Sequence, residues 1–441
     1  MNCQLTNKGR GGNVNINTKN QNTLNIHTHL DIKKTSGSPR DTITLKTSTM
    51  QIRYISFLAV ALILSAYKKD GTVTNESYPA VQAAFGNEIN PNSWTDYAGT
   101  KPPAYIIKDN SPNNPINNAK ATLGRVLFYD KSLSVTNTIS CGSCHQQKFA
   151  FSDTALASNG VLGGTTVRHT MRLINARFAI EPTFFWDERA ATLEAQTTQP
   201  IVAHNEMGFS GQTGRGNLAT LLAKLQGIGY YKELFTAVYG DVSITETRMQ
   251  ECLANFIRSI QSFDAKYDEG RALVVNDRTN FPNFTDEENS GKALFIDRPI
   301  FDANSIRTTG GLGCNTCHLI PEFAISTASR NNGVIATLAG IGNDVTNTRS
   351  PSLRDLMNSS GVLNGPMMHN GKFRSLESVI NHYASGIQNN PNLDPRLRPN
   401  GTAVQQLNLQ PGELQAIVSF MKTLTGKNVY TDKKWASPFL K

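Results

Sequence analysis

The sequence predicts an all-α protein: two helical domains of one design behind an N-terminal leader that stays disordered. Three observations carry this. The string Cys-x-x-Cys-His occurs twice, in "SCGSCHQQKF" and in "GCNTCHLIPEF". Each copy is preceded by one related segment and followed, after a long insertion, by another. Strand signals are scarce throughout.

The leader comes first along the chain. Residues 1–49 are rich in Asn and Thr and poor in large apolar groups, so they cannot build a core and are expected to be disordered. Met50 is a candidate for the true start, which would place 1–49 upstream of the protein. It opens "MQIRYISFLAVALILSAYKKDG", where Arg53 precedes an apolar run of about eleven residues, the length of a signal peptide's core rather than a membrane span. Residues 50–67 therefore read as a signal-like segment, and the protein as periplasmic or otherwise exported. The ending "LILSAYKKD" resembles a bacterial lipoprotein signal, but Tyr67 stands where the lipidated cysteine belongs, which leaves membrane tethering open.

The leader also explains the charge. Of the net +9, most arises in residues 1–66, where eight Lys and Arg face only Asp31 and Asp41. The body has no basic block interleaved with aromatics, so nucleic acid is not an expected partner. Cys3 lies in the leader and Cys252 on an apolar helix face, so a structural disulfide is not expected either.

Two domains follow, at 79–265 and 266–430. "LGRVLFYD" (123–130) precedes the first motif and "SGKALFID" (290–297) the second; a capping box from Thr285 to Glu288 marks the latter as a helix. The closing segments are "CLANFIRSIQSF" (252–263) and "LQAIVSFMKTLTG" (414–426). Aligning Phe256 with Phe420 matches Arg258 to Lys422 and Ile260 to Leu424, with apolar residues at helical spacing. Helix, motif, long insertion, closing helix: the unit occurs twice.

The motif has two chemical readings. Four thiolates could grip one zinc ion, but a zinc ribbon brings its pairs within roughly 15–20 residues, and about 170 separate Cys144 from Cys314. Alternatively, the sulfurs of each pair bond one porphyrin and the adjacent imidazole ligates its iron, with Cys141, Cys144 and His145 holding one haem c and Cys314, Cys317 and His318 the other. The second reading accounts for the histidine both times. It makes the domains cytochrome c-like, each with one covalent haem.

In five segments, two of them holding the motifs, the chain resembles the bacterial di-haem cytochrome c peroxidases, a family that includes the MauG-type enzymes of methylamine utilisation. The segments are "LGRVLFYDKSLSVTNTISCGSCH", "FFWDERAATLEAQTTQPIVAHNEMG", "CNTCH", "SPSLRDL" and "GPMMHNGKFRSLESVINHYASG", from about Pro79 to Lys427. The resemblance implies a peroxidatic haem in the first domain, an electron-receiving haem in the second, and hydrogen peroxide as substrate. It also implies a small cytochrome or copper protein as electron donor, and it is compatible with a homodimer.

Residue by residue, the resemblance puts the peroxide pocket on Gln196 and Glu206. A carboxylate there would take a proton from peroxide and return it to the departing oxygen, while an amide would hold peroxide without competing for the proton. Trp186 matches the tryptophan between the haems. The second iron's distal ligand falls on Tyr383, as in the MauG type, with Met368 as the alternative thioether.

Three departures qualify the match. No histidine lies between Phe149 and Val167 to cap the first iron, which implies an open haem unless His169 moves in. His169 also stands where the family carries an asparagine that helps hold a calcium ion between the domains. That argues against calcium, although Asn364 and Pro366 lie near the other ligand positions. Glu188 replaces a glycine, implying a local backbone change. The expected activity is peroxide reduction. The alternatives are a MauG-type oxidase acting on a protein partner and a di-haem electron carrier without catalysis.

Overall fold

Polar residues with short side chains start the helices. Asn117, Thr192, Asn217, Thr245, Thr285 and Ser375 each accept a backbone N–H of the first turn, which satisfies a donor the helix cannot. The computed structural model describes residues 76–180 and 183–440; the leader and the signal-like segment lie outside the described residues. Helices run in the order α1 Pro79–Phe85, α2 Asn118–Tyr129, α3 Cys141–Cys144, α4 Leu193–Thr197, α5 Gln199–Val202, α6 Leu218–Gln226, α7 Gly229–Tyr239, α8 Glu246–Ser259, α9 Lys266–Arg271, α10 Asp286–Ile296, α11 Leu376–Asn381 and α12 Glu413–Lys422.

The fold is mainly helical but not wholly so. Two antiparallel ribbons flank the second Cys motif: β1 Pro299–Phe301 with β2 Arg307–Gly310, and β3 His318–Leu319 with β4 Ala324–Ile325. They are two to four residues long, too short for an alternating pattern to register in sequence. No helix among the described residues is long and apolar enough to cross a membrane.

Two hydrophobic cores organise the chain. The first gathers Leu123, Val126, Leu127 and Phe128 of α2 with Leu253, Phe256 and Ile257 of α8. The second gathers Phe295 and Ile296 of α10 with Ile417, Val418, Phe420 and Met421 of α12. The same glycine crossing builds both. A Cβ on Gly124 would lie 1.9 Å from the Cys252 carbonyl oxygen, and one on Gly291 would lie 1.9 Å from that of Ala416. Only glycine lets the helix backbones approach so closely.

Aromatic rings repeat the symmetry. Phe128 meets Phe256 at 5.1 Å between centroids, and Phe295 meets Phe420 at 5.4 Å. The alignment of Phe256 with Phe420 is therefore an alignment in space.

Beyond α12 the chain returns to the first core, where Val429 and Trp435 are buried. The tail is held by Arg125 Nε donating to the Ala436 carbonyl at 2.6 Å and Tyr129 Oη donating to that of Trp435 at 2.6 Å. Other bonds cross between the cores: Tyr105 Oη to Asp268 at 2.8 Å, and Lys108 Nζ to Glu322, a buried carboxylate, at 2.6 Å.

Candidate functional site

Each Cys motif sits against its own core. Cys141 packs on the first and Cys314 on the second, and all five described cysteines are free thiols. Among the described residues no three His, Cys, Asp or Glu side chains gather as a metal site, so the four thiols do not form a shared zinc site. Ser140 and Ser143 cap the short α3 reciprocally, and this turn presents the two thiols and then His145. Burial pushes the Cys141 and Cys314 thiols up to about 12, which keeps them protonated in the free protein.

The two imidazoles are half-buried, and desolvation holds each down at about 4, so both are neutral at pH 7. They differ at Nδ1. His145 Nδ1 lies 3.2 Å from the Phe151 carbonyl oxygen, a bond that fixes the tautomer and leaves Nε2 free for a metal. His318 Nδ1 is buried with no protein partner.

The second motif opens into a cavity of about 1040 Å³. Phe295, Leu312, Ile417 and Met421 make apolar walls, and Tyr383 and Met368 line it together with Cys314, Cys317 and His318. Two thiols, a neutral imidazole and an apolar chamber at the upper end of ligand-pocket sizes fit a covalently held haem. Tyr383 stands in a π-helical turn, His382–Gly386, a distortion that recurs at functional sites. Burial raises its hydroxyl pKa well above the ordinary tyrosine value.

Around the first motif, the Phe128 ring lies beside His145 and packs on Phe151. Gln196 lies half-buried on α4, and Glu206 follows α5 in a loop pinned by Val161 N donating to the Glu206 carbonyl at 2.9 Å. Burial raises the Glu206 carboxyl above its usual value, and Arg189 opposes the rise. Its charge also raises the Cys141 and Cys144 thiols, after burial and nearer groups, so it faces the same region of the first lobe.

The seam between the cores holds Trp186 and His169. Trp186 Nε1 donates to the His169 carbonyl at 2.8 Å, and His169 N donates to the His369 carbonyl at 2.7 Å. The Trp186 ring stands edge-on to His369, 6.3 Å between centroids, and borders the second cavity. His169 is buried, its Nδ1 3.4 Å from the Leu156 carbonyl oxygen, so it is a fixed core residue of the seam. Glu188 itself takes the left-handed conformation, φ 56°, that a glycine would adopt without strain.

A calcium ion fits this seam poorly. Asn364 Oδ1 is buried without a partner and Pro366 borders the second cavity. However, the same seam carries the His169 imidazole and the buried Arg172 guanidinium, whereas calcium takes six to eight oxygens.

Sequence reasoning missed several residues. Phe151 and Phe323, which occupy equivalent places after the two motifs, share φ 57° and pack on Phe128 and Phe295 at 6.2 and 5.6 Å. Their signal was present, a phenylalanine five or six residues after each motif histidine. Asn332, which touches both Tyr383 and Met368, had no signal, because it lies in a loop remote from both in sequence.

A family model described as di-haem cytochrome c peroxidase matches residues 118–272. The methylamine utilization protein MauG of Methylophilus methylotrophus is 29% identical over 345 residues, covering 75% of this chain and 91% of that protein. Cytochrome c551 peroxidase of Nitrosomonas europaea is 25% identical over 343 residues, covering 73% and 86%. Among solved structures, a MauG-like protein associated with microbial copper homeostasis superposes with a TM-score of 0.56 at 24% identity, covering 78% of this chain and 99% of that one. The diheme peroxidase BthA from Burkholderia thailandensis gives 0.51 at 18% identity, covering 79% and 93%, a likeness of fold.

Proposed function

Because the chain belongs to the family of di-haem cytochrome c peroxidases, we infer that it reduces hydrogen peroxide to water in its first lobe with electrons received through its second. When bound, the haems supply the iron that cleaves peroxide and the centre that relays electrons. Cys141, Cys144 and His145 would hold one, and Cys314, Cys317 and His318 the other. Each turnover consumes one peroxide, two electrons and two protons, and releases two waters.

The chain's own residues manage the protons. Glu206, as carboxylate, takes a proton from the peroxide oxygen that stays and returns it to the oxygen that leaves. Gln196 orients peroxide by hydrogen bonds, and its amide does not titrate. The Phe151 carbonyl holds the Nδ1 proton of His145, which would leave Nε2 free to ligate the iron. Trp186, in the seam, offers a polarisable ring between the lobes as a path for electrons. Tyr383, which lines the same cavity as His318, would supply the second haem's other protein ligand.

The observation that carries this reading is the half-buried Glu206 carboxyl, its pKa raised by desolvation and its charge felt by the Cys141 and Cys144 thiols. In fully haem-loaded protein, Glu206→Gln is expected to cut peroxide-driven donor oxidation about 100-fold or more, the scale of losing a general acid–base, with both haem spectra intact. Near-normal turnover would remove Glu206 from the mechanism.

One observation favours a second reading. A tyrosine facing the second cavity is the feature that resembles MauG-type oxidases, which would act on a protein partner. Catalytic oxidation of a small reduced cytochrome or copper protein supports the peroxidase; peroxide-driven modification of a protein side chain supports the oxidase. A carrier without catalysis would show neither. The apolar run after Arg53 supports export.

A further inference from the structure

We propose that Asn332 is the positioning residue that presents Tyr383 to the second haem, gripping the phenol oxygen with one amide N–H and engaging the competing thioether of Met368 with the other. The proposal rests on the reading that Tyr383 is the distal ligand.

Asn332 Nδ2 lies 3.3 Å from Tyr383 Oη and 3.3 Å from Met368 Sδ. A side-chain amide nitrogen carries two hydrogens, so one group serves both acceptors. The orientation of the amide follows from its network: Val334 N donates to Asn332 Oδ1 at 3.1 Å, which leaves the nitrogen facing the cavity. The Asn332 backbone is anchored as well, since His382 Nε2 lies 2.9 Å from its carbonyl oxygen.

Tyr383 is thus fixed from both ends. Gln405 Nε2 donates to its carbonyl at 3.0 Å and Leu407 N to that of Ala384 at 2.9 Å, which together pin the π-helical turn. Its hydroxyl has Asn332 as protein partner. Met368 is held in the left-handed region at φ 66°, an uncommon conformation for a non-glycine residue. Asn332, Met368 and Tyr383 all line the one cavity.

The chemistry separates the two donors. A thioether is a weak acceptor and a soft ligand, and with an N–H pointed at its sulfur Met368 is the poorer candidate for the iron. A phenolate oxygen keeps lone pairs for the metal while accepting the amide proton. That N–H draws electron density from the oxygen, so the clamp weakens Tyr383 as a donor and raises the potential of the second haem.

The test uses haem-loaded protein. Asn332→Leu is expected to raise the iron–phenolate stretching frequency in resonance Raman spectra and to lower the midpoint potential of the second haem alone. Asn332→Asp, which keeps the shape and the acceptor for Val334 but removes the N–H, should shift both in the same direction. In a Tyr383→Phe background, Asn332→Leu should shift nothing further. Unchanged frequency and potential in both single variants would overturn the clamp, as would equal shifts with and without Tyr383. A Tyr383→Phe protein whose second haem keeps its wild-type spectrum would instead refute the ligand assignment, a separate failure.

Discussion

The two lobes share a frame and differ in the polar side chains that their insertions carry. The glycine crossing, the Phe128–Phe256 and Phe295–Phe420 pairs, and the left-handed Phe151 and Phe323 recur with closely similar distances and φ. The insertions between motif and closing helix do not. The first supplies an acid, Glu206, and an amide, Gln196; the second supplies a phenol, a thioether and Asn332. Even the proximal side diverges, since His145 has a carbonyl for its Nδ1 proton and His318 has none. The helix pair is thus common to both lobes, and the insertions are where they differ; on the proposed function, one insertion serves proton chemistry and the other electron entry.

The frame can be tested by breaking it on one side at a time. Gly124→Ala and Gly291→Ala each drive a methyl to 1.9 Å from a backbone carbonyl oxygen, so the helix pair must separate. Overpacking of this kind costs about 1–3 kcal/mol or more. Thermal unfolding of the haem-loaded variants should show losses of similar size. If one variant melts like wild type while the other falls, the crossings are not equivalent and the symmetry is only one of appearance.

How far the sequence alone reached follows the same division. The frame was legible because its residues recur in register: Leu127-Phe128 and Leu294-Phe295 before the motifs, Phe256 and Phe420 after them. Helix starts were legible where capping chemistry is local, as at Thr285 with Glu288. The ribbons at 299–310 and 318–325 were not, being shorter than one period of any pattern. Nor was the return of Trp435 to the first core, a contact between residues far apart in the chain. Among site residues, Tyr383 came from a count along a familial segment, whereas Asn332 reaches it across 51 positions through a loop. Such a residue is found only in space.

A smaller effect would sharpen the assignment of acid–base work to the first lobe. Burial holds the Glu206 carboxyl above its ordinary value, and the Arg189 charge pulls it down. Glu206 must be ionised to accept the peroxide proton, so turnover falls as pH drops through its pKa. Arg189→Gln removes the opposing charge; the carboxyl rises further, and the acid limb moves to higher pH. Arg189 is exposed and salt screens it, so the shift should be on the order of a few tenths of a pH unit, larger at low ionic strength. An unmoved limb, or one that moves to lower pH, would separate the limb from Glu206. The same substitution should leave the second haem's spectrum unchanged, because that lobe has no part in the titration.

The smallest expected effect is none at all, and it concerns what joins the lobes. Backbone and side-chain bonds span the seam, among them His169 N to the His369 carbonyl, Tyr105 to Asp268 and Lys108 to Glu322. Calcium would need an oxygen shell there, and the seam presents an imidazole whose Nδ1 already faces the Leu156 carbonyl and a guanidinium whose positive charge repels a cation. Asn364 Oδ1 is the one orphaned buried amide oxygen near the expected ligand positions, and a single such oxygen does not make a calcium site. Prolonged treatment of the haem-loaded protein with EGTA is therefore expected to leave peroxide turnover and both haem spectra as they were, and elemental analysis to find no stoichiometric calcium. Loss of turnover that added calcium restores would show that an ion, and not the His169–His369 seam, sets the geometry between the lobes. Trp186 would then be the residue to re-examine first, because its indole N–H depends on the carbonyl of His169 for its position.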